Sequence, residues 1–169
     1  MKIPDIVVTE ESKATEKELK PKTQTILAPI NVLDQPSQAL DFAIELAQQW
    51  DANLYVLYVY SHLPQVSGAK LIHAVSNVDW ERHQASVNLY RLVDQLREQY
   101  KRTFAYFTDN DCPAEAIQDV AGKLDADMII ISGHDKGWLA KLFLYSDGDD
   151  IARRSTTPVL VYRPKFREE

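Results

Sequence analysis

Cysteine is almost missing from this chain: Cys112 stands alone among 169 residues, so no disulfide can form within it. That economy suits a reducing compartment, and the expected location is cytoplasmic. No apolar run is long enough to cross a bilayer. The opening residues, Met1-Lys-Ile-Pro-Asp5, carry no apolar core of the secretory type. Positive charge is also scarce. Nineteen Lys and Arg face 25 Asp and Glu, for a net charge of −6 and a pI near 5.2. This excludes the basic face by which a nucleic acid is held. The chain has no Gly-x-x-x-x-Gly-Lys-Ser/Thr loop, no nucleophile–base pair and no metal-ligand set. No catalytic or metal-binding residue is therefore assigned, and the chain is read as a non-enzyme.

What is present suffices for one domain with a tail: 45% of the residues are hydrophobic. Residues 1–23 alternate Glu and Lys around Thr and Ser without a sustained apolar period. They are expected to form a flexible N-terminal tail, with Ile6-Val7-Val8 as its one apolar island. Residues 24–169 are expected to form the domain. Thr25 to Ile30 reads as a first strand. Asp34 and Pro36 then open a helix, by an N-cap and first-turn pair, with Ala39, Leu40, Ala43, Leu46, Ala47 and Trp50 at helical spacing. Asn53 to Tyr60 is aromatic and branched, hence a strand. A mobile connection is expected over residues 62–76. Val78 to Tyr100 spaces Val78, Ala85, Leu89, Leu92, Val93, Leu96 and Tyr100 along one face of a long helix. Thr103 to Thr108 is a third strand. Pro113 starts a helix burying Ala116, Ile117, Val120, Ala121 and Leu124. Asp127 to Ser132 is a strand apolar on both faces, Asp149 to Ser155 a short helix, and Pro158 to Tyr162 the last strand. Strands alternating with helices predict a parallel α/β sheet.

Gly133 directly follows the fourth strand, where such a sheet places its ligand crevice. His134 and Lys136 in that loop are suited to an anion, with a solvated loop as the plainer reading. Cys112 at a helix start favours a thiolate, but without a partner cysteine it reads as a cap or a half-buried residue. Trp50, Tyr55, Tyr58 and Trp80 read as core or rim aromatics. Trp138, Leu139, Leu142, Phe143 and Leu144 form an apolar stretch beside Lys141. Asp147, Asp149 and Asp150 complement a helix start rather than bind a metal.

In order and spacing, Ile26-Leu-Ala-Pro-Ile30, Ala39-Leu-Asp-Phe-Ala43, Pro113-Ala-Glu-Ala-Ile117, Ala126-Asp-Met-Ile-Ile-Ile-Ser-Gly133 and Thr157-Pro-Val-Leu-Val161 resemble the universal stress protein family. The resemblance runs from Ile26 to Pro164. It implies an open five-stranded parallel sheet in order 3-2-1-4-5, with helices on both faces, of the adenine-nucleotide α-hydrolase, Rossmann-like type. It also implies a homodimer through the last strand, at Val159, Leu160 and Val161.

For ATP-binding members the resemblance implies an Asp after the first strand, a backbone contact to adenine from a valine late in the second, and a glycine loop around the phosphates. The matching positions here are Asn31, Val59, and Gly133, Lys136, Gly137 and Ser146. The pattern is degenerate. Asn31 lacks the charge that holds a ribose hydroxyl strongly. Tyr145 replaces a glycine where backbone would meet phosphate, and the three aspartates after it repel a triphosphate. The expected function is a dimeric stress-response or regulatory protein with ATP binding lost or weakened, no resident cofactor, and an unidentified protein partner. The alternative is an ATP- or AMP-binding switch using a rearranged loop. A phosphoacceptor receiver domain is set aside, because Asn31 and Val32 replace its acidic pair although Asp109 and Asp111 suit its acceptor.

Overall fold

The computed structural model describes residues 25–30, 38–61, 78–132 and 155–163. Among these residues the order is β1 (Thr25–Ile30), α1 (Gln38–Trp50), β2 (Asn53–Tyr60), α2 (Val78–Gln99), β3 (Thr103–Asp109), α3 (Pro113–Lys123), β4 (Met128–Ser132) and β5 (Val159–Tyr162). The strands build one sheet in the order β3-β2-β1-β4-β5, and every pairing is parallel. Each boundary that falls within the described residues lies within a residue or so of the expected one. The Asp34–Pro36 cap, the 62–76 connection, the 1–23 tail and the helix from Asp149, except Ser155, lie outside the described residues.

β1 is buried along its whole length because helices cover both faces of the sheet. Ile26, Ala28 and Ile30 join α1, α2, Leu54, Val56 and Ile130 on one face. Leu27 joins Leu57, Val59, Ile129, Ile131 and α3 on the other. α1 buries Ala39, Leu40, Ala43, Ile44 and Ala47, one stripe of a 3.6-residue repeat. α2 differs from expectation. It fully buries only Leu89, Val93 and Leu96, with Val78, Ala85 and Leu92 half-covered. Trp80 is 60% exposed and Trp50 39%, so both are surface or rim residues rather than core. Length gives the reason for Trp80: 22 helical residues span about 33 Å, whereas the seven residues of β3 span about 23 Å. The first turn of α2 overhangs the sheet.

Two helices end in the same turn. Asp51 (φ 52°) and Asp125 (φ 47°) both adopt the left-handed conformation. The next N–H, of Ala52 or Ala126, reaches back to the Ala47 or Ala121 carbonyl at 2.9 Å. This is the helix stop usually built on glycine, here made by aspartate, one of the few side chains that tolerate it.

β1 and β4 are tied at one end only. The Asp127 N–H donates to the Thr25 carbonyl (2.9 Å) and the Thr25 N–H donates to Asp127 Oδ2 (3.0 Å). Further along, the Ile129 N–H donates to the Pro158 carbonyl, on the β5 side. Backbone groups alternate in direction along a strand, so Met128 and Ile130 turn theirs to β1. With Ile26 opposite Met128 and Leu27 opposite Ile129, Leu27 faces β4, and the next β1 residue to do so is Pro29. Proline has no N–H to give the Ile130 carbonyl. The β1–β4 pairing stops at Leu27–Ile129, while β1 and β2 stay paired to Ile30–Tyr58.

Restoring that donor with Pro29→Ala is predicted to add a rung. Amide 29 should become protected from hydrogen exchange, with a net stability change within about 1 kcal/mol, because the new bond is offset by the lost rigidity of proline. A freely exchanging amide 29 would show that something other than proline parts the strands.

Candidate functional site

The unpaired stretch of this seam lies at the carboxyl ends of β1 and β4. There the strand order reverses, with β2 and β3 laid down on one side of β1 and β4 and β5 on the other, which is the place an open α/β sheet offers a ligand. Val59 borders it. The Leu54 N–H donates to the Arg102 carbonyl and the Tyr60 carbonyl accepts from the Asn110 N–H, both toward β3 and both 2.9 Å. By alternation, Tyr55, Leu57 and Val59 turn their backbone groups toward β1. The Val59 side chain is buried against Leu57, Ile131 and the α3 residues. It is therefore the backbone of Val59 that is turned to the seam side. Ile30 and half-buried Ser132 end the flanking strands.

Charged and aromatic groups gather at the carboxyl ends of β2 and β3. Arg82 of α2 grips Asp109, the last residue of β3, through two bonds: Nε to Oδ1 at 2.8 Å and Nη2 to Oδ2 at 2.6 Å. Its guanidinium lies 5.4 Å from the centre of the Phe107 ring. The paired carboxylate holds the Arg82 pKa above its usual value, first by hydrogen bonding and then by charge. The Tyr60 hydroxyl donates to the Val78 carbonyl at 3.3 Å. Burial raises the Tyr60 pKa, Glu81 and Asp109 raise it further, and Arg82 opposes them. Burial, then the neighbouring Tyr60, raises that of Tyr58. Ser61 donates to Asp111 Oδ1 at 3.4 Å.

Cys112 corrects the sequence reading. Its side chain is exposed and makes no capping bond at the start of α3. Asn110 takes the local role instead, its Oδ1 accepting the Cys112 N–H at 2.7 Å. An amide two positions ahead, followed by Pro113, was the available signal. Asp109, suited on sequence to a phosphoacceptor, is engaged by Arg82. Among the described residues no three His, Cys, Asp or Glu side chains gather to hold a metal.

Of the candidate nucleotide residues, Val59 alone is described. Asn31, Gly133, Lys136, Gly137 and Ser146 lie outside the described residues, as do His134, Trp138, Tyr145 and the aspartates 147, 149 and 150. Val159, Leu160 and Val161 are half-exposed on β5, at the sheet edge. Val159 and Val161 lean to the α3 face and Leu160 to the opposite face, where Tyr162 stacks on Phe42 at 5.1 Å. No described helix is long and apolar enough to cross a membrane.

The profile of the Universal stress protein family matches residues 22–163. A universal stress protein of Methanocaldococcus jannaschii is 26% identical over 148 residues, covering 85% of this chain and 84% of that protein. A universal stress protein solved with cAMP superposes with a TM-score of 0.57 at 20% identity, over 84% of this chain and 98% of the other. Another, from Archaeoglobus fulgidus and solved with dAMP, gives 0.54 at 23% identity, over 82% and 96%. At these identities the two structures establish likeness of fold.

The raised phenols set an alkaline limit. Tyr58, Tyr60 and Tyr100 stay neutral in the folded state above the usual tyrosine value, which is about 10. Their contribution to stability is fully present below that pH and is lost as pH rises through the folded values. Phenolate absorbance should show a lagging class of tyrosines, and Tyr58→Phe should lessen the alkaline fall in Tm. A single titration near the unperturbed value would contradict this.

Proposed function

The chain belongs to the universal stress protein family, and on that footing we propose that it is a non-enzymatic, cytoplasmic regulatory protein. It acts as a homodimer with an unidentified protein partner, and its ATP binding is lost or weakened. Substitution at both ends of the nucleotide pattern supports this: Asn31 removes charge at the ribose position and Tyr145 puts bulk at the phosphate position. The charge near the carboxyl ends of β2 and β3 argues the same way. Asp79 and Glu81 stand in the first turn of α2 and Glu115 in that of α3, while Arg82 is already committed to Asp109. Such a rim disfavours a polyphosphate more than a monoanion.

A second reading, an adenine-nucleotide switch formed by Asn31, Val59, Gly133, Lys136, Gly137 and Ser146, is favoured by one observation. The backbone of Val59 is turned toward β1, on the side of the switch point, where a nucleoside end would lie. The complexes with cAMP and dAMP belong to other members of the family. Calorimetry with ATP, ADP and AMP, with and without Mg²⁺, separates the two readings. ATP should bind more weakly than about 0.1 mM. Micromolar ATP binding abolished by Gly133→Val would overturn the first reading; binding of AMP without ATP would indicate a surviving nucleoside end and a blocked phosphate end.

The dimer is proposed at the β5 edge, where half-exposed Val159 and Val161 sit on a strand that, among the described residues, pairs on one side only. Val161→Lys should shift the chain toward monomer in analytical ultracentrifugation with little loss of Tm. A wild-type chain that sediments as a monomer at micromolar concentration would end the idea.

A further inference from the structure

We propose that Arg82 is a positioning residue: its fork on Asp109 locks the carboxyl ends of β2 and β3 and so holds the Val59 backbone in place beside the end of β1. The ligand side of this statement rests on the nucleotide reading of Val59 given above; the lock itself does not.

An exposed ion pair alone would not carry the argument, since most contribute little. Three features set this one apart. Both guanidinium bonds are made at once, at 2.8 and 2.6 Å, so the planar fork is used in its strongest geometry. The Phe107 face beneath it holds the plane in orientation. Above all, the contact closes a circuit of short links. Asp109 is the ladder partner of Tyr60, and the following N–H, of Asn110, bonds the Tyr60 carbonyl at 2.9 Å. The Tyr60 hydroxyl then meets the carbonyl of Val78, the first residue of α2 and one helical turn before Arg82. Val78 lies 18 positions beyond Tyr60 in sequence, so bringing the two together has a loop-closure cost. A hydrogen bond of 3.3 Å is a long tether for that task, and the shorter two-bond fork is the firmer one. Val59 directly precedes Tyr60 and pairs with Thr108; the lock therefore acts on the end of the strand whose backbone turns to the seam.

The test uses the full chain with Arg82→Lys, which keeps the charge and loses the fork, Asp109→Asn, and the two combined. Amide exchange is read at Asn110, Tyr60 and Val59, with Ile129 as a core reference, and AMP is titrated by following amide shifts. Each single variant should speed exchange at Asn110 and weaken AMP binding by about tenfold. The double variant should be no worse than either single one, because both remove the same contact. Ile129 exchange should stay unchanged and Tm should move by less than about 3 °C. Unchanged exchange at Asn110 in all variants overturns the lock. Faster exchange with undiminished AMP affinity overturns its role toward Val59. A wild-type chain that binds no AMP overturns the nucleotide reading and the role toward Val59 with it, and exchange at Asn110 then still decides whether the lock exists.

Discussion

The central strand carries the one constraint on which the other features depend: β1 is tied to β4 where it begins and denied a rung where it ends. The reciprocal Thr25–Asp127 pair closes the beginning, and Pro29 prevents the bond that would close the end. A proline in a central strand costs one ladder bond, a net loss of about 1 kcal/mol. Burial outweighs that. Ile26 and Leu27 are both fully enclosed, and each contributes about 1.5–3 kcal/mol. The strand can thus stay at the centre of the sheet although its pairing with β4 stops at Leu27–Ile129, and that stop falls at the switch point.

The two aspartate turns serve the same arrangement. Each stops a helix and starts the chain toward a strand beside β1: Asp51 and Ala52 lead into β2, Asp125 and Ala126 toward β4. A left-handed residue without glycine costs roughly 1 kcal/mol, which a short polar side chain lessens. The short connections fix where each strand begins, and with it the register that places Tyr58 beside Ile30 and Val59 just beyond.

Much of the fold was legible in the sequence. Alternating strand and helix periods foretold the element order, and the apolar run Asp127–Ser132 foretold a strand covered on both faces. The family resemblance supplied the strand order. The long helix was less transparent. The spacing of Val78, Ala85 and Leu92 is helical, but periodicity cannot say how far the sheet extends beneath a helix, so residues half-covered near its overhanging start were indistinguishable from core. Cys112 misled for a related reason, because position at a helix start suggests a cap without showing which side chain reaches the backbone. Of the candidate nucleotide residues, Val59 was identified by resemblance, and only the sheet shows that its backbone, rather than its side chain, is turned toward the seam.

Local chemistry along the chain determined its helices and strands, its poverty in disulfides and basic surface, and the substitutions at Asn31 and Tyr145, because these depend on residue identity and short-range spacing. The tertiary structure decided what depends on contacts between distant segments. Pro29 becomes an opening only because its missing donor faces β4 rather than β2. Arg82 and Asp109, 27 positions apart, become a fork only because α2 runs back over the end of β3. Neither direction nor meeting point is encoded locally; each follows from the parallel register and from the faces on which the helices pack.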